Sequence, residues 1–160
     1  MATDDDISFD RSLLGVEHHI GTFHVTKEMI VDFSVSTGET SPLFLDDAAA
    51  KKNGHEGIVA PPTFCNLFVT GVMRPDIKLD FGNTGLFAGQ AIESLAPVRP
   101  GDSLDATTKL KEVYAKTGRS GKMVFAVWET GFTNQDGLLV ALVNESFVRR
   151  NVPQSRAMER

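Results

Sequence analysis

The sequence contains a single cysteine, Cys65, so an internal disulfide bond is excluded. Cys65 has no companion at metal-ligand spacing, and we expect it to be a small buried apolar residue in a reducing compartment. Long hydrophobic runs are also missing. The longest ones, such as 138–143, fall far short of the ~20 residues that cross a bilayer, so no membrane span is expected.

Basic residues are few and scattered. The net charge is -5 and the pI is near 5.3, and no basic cluster stands out, which argues against nucleic-acid binding. The start, residues 1–6, is acidic where a secretory signal needs basic residues and an apolar stretch, so we expect a cytoplasmic protein. The content of 41% apolar residues suffices for one core. The sequence therefore predicts one domain over 1–160, with a core at about 15–150 and frayed tails at 1–8 and 153–160.

Helical signals dominate the first half. After a short strand at 20–25, Thr26 is placed to cap a helix over 27–36, and Asp46 to cap a short helix over 47–52. A third helix is predicted from Pro61-Pro62 to about Met73, because proline is tolerated in a first turn. Its residues are apolar almost all round, which is typical of a helix wrapped by other structure.

Strand signals dominate the second half. Four strands are predicted, and they are expected to be consecutive and antiparallel because turn residues separate them. In the second, buried and exposed residues should alternate from Leu104 to Lys111. A buried helix beside a long antiparallel sheet indicates an α+β fold in which the sheet curls round the helix, and its exposed edge predicts a dimer. The predicted strands are 86–96, 103–114, 122–133 and 138–149.

Several motifs resemble the MaoC-like hydratase/dehydratase family in order and spacing, over roughly residues 20–149. The resemblance implies a hot-dog fold, a fatty acyl thioester as substrate and no cofactor beyond the coenzyme A or acyl carrier moiety of that substrate. In the family, an aspartate and a histidine activate the water that adds to an enoyl thioester, and a glycine N–H at the central helix start stabilises the enolate. The motifs are Gly38-Glu39-Thr40-Ser41-Pro42-Leu43-Phe44, Ile58-Val59-Ala60-Pro61-Pro62-Thr63-Phe64, Gly89-Gln90, Pro97-Val98-Arg99-Pro100-Gly101-Asp102 and Asn134-Gln135-Asp136-Gly137.

The chain departs from the family pattern at the positions that carry the chemistry. Phenylalanine cannot accept a proton, and proline has no N–H to donate, so two essential parts of a hydratase site are missing. The changes resemble the branch with Ala-Pro-Pro-Thr-Phe at the helix start, whose implied role is to form one wall of the acyl tunnel beside a catalytic partner. The replacements are Glu39 for aspartate, Ser41 for asparagine, Phe44 for histidine, Pro61 for histidine and Pro62 for glycine.

The candidate site follows from these motifs. Glu39 is a weak catalytic candidate, either a displaced base or, more typically, a solvated loop carboxylate, and His55 is a weaker one that is more typical of a surface loop. Phe44 and Phe64 are tunnel lining or plain core. Arg149 or Arg150 is a candidate for meeting coenzyme A or carrier phosphates, but adjacent strand residues face opposite ways. The candidate substrate-binding residues are Pro42, Phe44, Val59, Ala60, Pro61, Pro62, Thr63, Phe64 and Phe68; no role is assigned to His18, His19 or His24.

Three functions remain open. The first is an acyl-binding subunit of a (3R)-hydroxyacyl-thioester dehydratase or enoyl-CoA hydratase of fatty acid metabolism. It would work as a homodimer or as a heteromer with a catalytic MaoC-like chain. The second is a hot-dog acyl-CoA thioesterase in which Glu39 or Glu56 activates water. The third is a non-enzymatic acyl-thioester binding protein.

Overall fold

The computed structural model describes residues 6–153, so most of the predicted tails, 1–5 and 154–160, lies outside the described residues. A five-stranded antiparallel sheet curves over a short central helix, which confirms the α+β, hot-dog prediction. The elements are β1 (Glu17–His24), α1 (Lys27–Ser36), α2 (Asp47–Lys52), β2 (Thr84–Ser94), β3 (Ser103–Gly118), β4 (Gly121–Thr133) and β5 (Leu139–Arg150), with 3-10 helices at Arg11–Leu13, Pro42–Phe44 and Phe64–Phe68.

Both predicted helix starts are confirmed by their caps. The Thr26 hydroxyl accepts the N–H of Met29, and the Asp46 carboxylate accepts the N–H of Ala48. These bonds satisfy N–H groups that have no partner within a first helical turn. The second helix ends as predicted, because Gly54 adopts a φ of 87° that other residues reach only with strain.

The predicted central helix over 61–73 is shorter and tighter than expected. Only Phe64–Phe68 is regular 3-10 helix, and the N–H to C=O bonds from Pro61 through Val72 all span three residues. Gly71, with a φ of 77°, turns the chain away. The helix is also not buried all round, since Leu67 is 45% exposed and Met73 is 92% exposed. One apolar side of the helix is therefore uncovered.

The order of strands in the sheet is β1-β3-β4-β5-β2, so the expected pairing of all consecutive strands is wrong for β2 and β3. The β3–β4 and β4–β5 neighbours are antiparallel as predicted. Strand β2 instead pairs with β5 and forms one edge. The turn that was expected to close a hairpin bonds to the end of β1: Gly101 donates to the Val25 carbonyl, and Val25 donates to the Asp102 carbonyl. The segment between β2 and β3 is thus a crossover.

The sheet buries one face, as the alternation predicts: Leu104, Ala106, Thr108 and Leu110 are fully buried. Two apolar clusters lie on this face. The first surrounds the central helix, and the second lies under the segments 7–14 and 77–81. Ile7 is 4% exposed within the second cluster, so the packed region begins earlier than the predicted core. No helix among residues 6–153 is long and apolar enough to cross a membrane.

Candidate functional site

Glu39, which the sequence motif aligns with the family aspartate, lies in the loop after α1. Gly38 turns the chain with a φ of 77°, and the Glu39 N–H then donates to the Ser34 carbonyl at 2.8 Å. The residue is half-buried. Within the described part of the chain its carboxylate has neither a hydrogen bond nor an ion pair, and this includes any bond to the His55 ring. Glu39 therefore presents an uncommitted carboxylate without a neighbouring histidine.

Backbone hydrogen bonds hold three of the sequence motifs together. Val59 donates to the Leu43 carbonyl at 3.1 Å, and Ala60 donates to the Val98 carbonyl at 2.8 Å. The first loop, the start of the central helix and the Pro97–Asp102 turn therefore meet at Val59 and Ala60. Val59 is buried, whereas Pro42 is exposed and Phe44 is half-buried on the first loop. These three segments lie far apart in the sequence, and we call the surface that they form together the wall.

The two prolines that precede the central helix supply no N–H donor. Pro61 is buried and Pro62 is exposed, and neither has an N–H group. Thr63 is also exposed. An oxyanion beside Pro61 and Pro62 would therefore receive no backbone N–H from either residue.

Phe64 lies inside the core. It is 1% exposed, and its ring packs edge-on against Phe33 and Phe68 at centroid distances of 5.5 and 5.4 Å. Phe68 also stacks on Phe23 at 4.6 Å. The geometry favours a packing role for Phe64, whereas Phe68 reaches the protein surface at a groove.

That groove has a volume of about 400 Å³ and is mostly apolar. It lies between β1 and the loop that follows the central helix. Of the candidate substrate-binding residues, Phe68 is the one that lines this groove. Its lining residues are Ile20, Phe23, Phe68, Val72 and Met73, with His19, Thr70 and Gly71.

His55 lies directly after the turn that ends α2. Its N–H donates to the Ala50 carbonyl at 3.1 Å, and its half-buried ring makes no hydrogen bond within residues 6–153.

Two other predicted residues have structural surroundings. The Arg149 guanidinium donates to the carbonyls of Phe81 and Gly82, so these donors are bonded to the backbone. Cys65 is buried as predicted, and burial raises the pKa of its thiol to about 12.

Asp47 and Asp102 fix the loops around the wall. Lys27 and the Ile58 N–H hold the pKa of Asp47 below its usual range, because both donate to its carboxylate, at 2.5 and 2.9 Å. The buried Asp102 carboxylate accepts the Arg99 N–H at 2.8 Å and the Gln135 amide at 3.0 Å. The Pro97–Asp102 and Asn134–Gly137 motifs are therefore bonded to each other, which is a structural role.

A buried ion pair was missed in the sequence. Arg74 and Glu145 form it in the middle of the sheet's inner face, with side chains only 12% and 9% exposed. The Arg74 guanidinium lies 5.8 Å from the Trp128 ring centroid and 5.4 Å from that of Phe147. One signal was available: Glu145 occupies an inward position between Val143 and Phe147 in an apolar strand, where a charge needs a partner.

Comparison with known proteins places the chain among dehydratases. The family model described as "FAS1-like, dehydratase domain region" matches residues 12–143. A UPF0336 protein of Parafrankia sp. (strain EAN1pec) is 32% identical over 139 residues, which cover 84% of this chain and 89% of that protein. The 3-oxo-4,17-pregnadiene-20-carboxyl-CoA hydratase alpha subunit of Mycobacterium tuberculosis is 31% identical over 124 residues, covering 69% of this chain and 38% of that protein.

Solved structures share the fold. A chain of the C-terminally truncated HadBC (3R-hydroxyacyl-ACP dehydratase) complex from Mycobacterium tuberculosis superposes with a TM-score of 0.69 and 23% identity, covering 87% of this chain and 98% of that chain. A chain of the ChsH1-ChsH2 complex from the same organism gives 0.68 and 22%, covering 89% and 86%.

Proposed function

This chain belongs to the family of FAS1-like dehydratase domains, and from that premise we propose that it is the acyl-binding subunit of a (3R)-hydroxyacyl-thioester dehydratase or enoyl-thioester hydratase. One observation carries the proposal. Backbone hydrogen bonds join the three motif segments, but Phe44 and Pro62 stand where the family pattern has a proton acceptor and an N–H donor. The chain is thus equipped to hold a substrate whose chemistry another chain performs.

The chemistry of hydration explains why a partner is required. Water must lose a proton as it adds to the β-carbon, and the thioester oxygen gains negative charge at the same time. Glu39 alone offers a carboxylate, and Pro61 and Pro62 offer no donor to the oxygen. A catalytic chain that brings an aspartate, a histidine and a glycine N–H to this wall would supply the missing groups.

The edge strand β2 is the surface on which we place that partner. Leu86 and Phe87 are 48% and 57% exposed there, and an edge strand presents unpaired N–H and C=O groups. The Gln90 amide of β2 bonds to Asn66 at 2.7 Å, so the exposed Leu67 lies on the helix beside the same edge. The similarity to chains of the HadBC and ChsH1-ChsH2 complexes supports a partner chain.

We expect the double change Leu86→Lys and Phe87→Lys to abolish association through β2. Two ammonium groups at an apolar edge oppose pairing with a second strand, and both residues are exposed enough for the fold to survive. The oligomeric state is measured by analytical ultracentrifugation, alone and with the partner chain. Val35→Lys, at a residue that is 65% exposed on α1, is the matched control and should leave association unchanged. Association that persists in the double variant places the interface elsewhere.

The groove between β1 and the central helix is where we place the acyl chain. Its floor is built from Phe23 and Phe68, and Ile20 and Val72 complete an apolar lining of a suitable kind for an alkyl tail. Burying such a tail contributes about 0.8 kcal/mol for each CH₂ removed from water, so affinity should rise with chain length until the groove is filled.

Filling this groove should change the chain-length preference. In Val72→Trp the indole would occupy space at a half-buried lining position, so long-chain thioesters should bind about tenfold more weakly while short-chain ones bind as before. Binding is measured by calorimetry with thioesters of both lengths. Phe64→Leu is the control for core damage, and it should lower the melting temperature but keep the preference, because Phe64 is buried in the core. An unchanged preference in Val72→Trp excludes the groove.

A hot-dog thioesterase is the second candidate function, and the uncommitted Glu39 carboxylate favours it. A single carboxylate can direct water onto a thioester carbonyl without the histidine that Phe44 replaces. Release of free thiol by the pure chain, lost in Glu39→Gln, would support this function in place of the subunit role.

A further inference from the structure

A second pocket of about 300 Å³ lies beside the candidate site, and basic side chains surround it. Lys27 comes from α1, Lys51 from α2 and Arg99 from the crossover before β3. The rest of the lining is Asp47, Glu56, Gly57, Ile58 and Pro100. We call this the basic pocket. Three cations around one pocket contrast with a chain whose net charge is -5.

The charges in the basic pocket are unequally committed. The Asp47 carboxylate accepts the Ile58 N–H and the Lys27 ammonium. The charges of Asp47 and Lys27 therefore compensate each other. Within residues 6–153, Lys51 and Arg99 have no ion pair or side-chain hydrogen bond, and neither is within bonding distance of Glu56. Lys51 and Arg99 are therefore open to a ligand, although the Asp47 carboxylate also attracts the Lys51 ammonium and the Glu56 carboxylate repels an anion.

The position of the basic pocket connects it to the wall of the candidate site. Ile58 precedes Val59, which bonds to the first loop. Arg99 follows Val98, whose carbonyl accepts the Ala60 N–H. The pocket and the wall thus share the same two backbone segments, one residue apart on each side.

We propose that the basic pocket binds a phosphate group of the acyl-thioester substrate, through Lys51 and Arg99. This rests on the proposed function, because coenzyme A and a carrier-bound pantetheine both carry phosphate next to the thioester arm. The Arg99 guanidinium offers parallel donors that suit phosphate oxygens, and Lys51 offers a flexible point charge. Asp47 keeps Lys27 and the loop before Val59 in place.

Charge reversal tests the basic pocket directly. Lys51→Glu and Arg99→Glu should each weaken binding of coenzyme A to the full chain about tenfold, since an attraction becomes a repulsion, and added salt should weaken wild-type binding. Lys52→Glu is the matched control on the same helix outside the pocket, and it should change affinity less than twofold. Glu56→Gln should tighten binding. If a reversed charge impairs folding, the neutral variant Lys51→Gln replaces Lys51→Glu in the same binding measurement.

Three ligands separate the two sources of phosphate: coenzyme A, 3′-dephospho-coenzyme A and 4′-phosphopantetheine. Loss confined to coenzyme A assigns the basic pocket to the 3′-phosphate. Loss with all three assigns it to the phosphate next to pantetheine, which a carrier protein also presents. If Lys51→Glu and Arg99→Glu change the affinity no more than Lys52→Glu does, the phosphate site is overturned and the proposed function is not. No binding of any of the three by the wild-type chain overturns the phosphate site and the proposed acyl-thioester function together.

Discussion

Purified alone, this chain is expected to hydrate an enoyl-coenzyme A at a rate close to the uncatalysed background. Loss of one oxyanion donor costs ~100- to 1,000-fold, and loss of a general acid or base costs ~100- to 10,000-fold. At the positions where the family pattern has the donor and the proton acceptor, Pro62 has no N–H and Phe44 cannot take up a proton, and no histidine hydrogen-bonds to Glu39 within the described residues. Both losses act on the same transition state, so the remaining activity should be small.

The matched experiment adds a small MaoC-like chain that carries an intact aspartate, asparagine and histidine motif. The two chains are purified together, and hydration is followed as the loss of enoyl absorbance. Activity should appear only in the mixture, and the Leu86→Lys, Phe87→Lys variant should fail to support it. Robust turnover by the pure chain contradicts the subunit role, and Glu39→Gln then decides whether its single carboxylate is responsible.

Replacing Glu145 by alanine is expected to lower the free energy of unfolding by about 3 to 5 kcal/mol. The change leaves the Arg74 charge inside the protein, where it is only 12% exposed, without its carboxylate. Among residues 6–153, the buried Arg74 Nε already has no hydrogen-bond partner. The rings of Trp128 and Phe147 contact the guanidinium, but they cannot replace a hydrogen-bonded anion.

Chemical denaturation monitored by the Trp128 fluorescence measures this effect, because that ring lies beside the ion pair. Removing both charges with Arg74→Met and Glu145→Leu should recover most of the stability, since apolar side chains of similar size often replace a buried pair without loss. Lys78→Gln breaks the pair between the exposed Lys78 and Asp76 side chains, which are 75% and 71% exposed, keeps the bond from the residue 78 N–H to Asp76, and should change stability little. A small effect of Glu145→Ala would mean that water reaches Arg74.

Sequence reasoning succeeded where short-range chemistry decides the structure. Thr26 and Asp46 cap helices because each side chain reaches an N–H group within a few residues. The alternation along β3 survives because one face of a sheet is buried. The absence of a proton acceptor at Phe44 and of an N–H at Pro62 is a property of the residues themselves, which no fold can restore.

Long-range packing decided the rest. Strand β2 forms its backbone hydrogen bonds with β5 and not with β3, although the turn that follows β2 in the sequence predicts a hairpin with β3. The central helix is limited to a 3-10 helix over Phe64–Phe68, and Gly71 turns the chain shortly after it. Arg74 meets Glu145 from 71 positions away, and the basic pocket gathers Lys51 and Arg99 from separate segments. The sequence by itself determined the helix starts, the buried face of the sheet and the missing catalytic groups, because these depend on neighbouring residues. Only the tertiary structure decided which distant side chains meet, because such contacts are formed when the whole chain closes around one core.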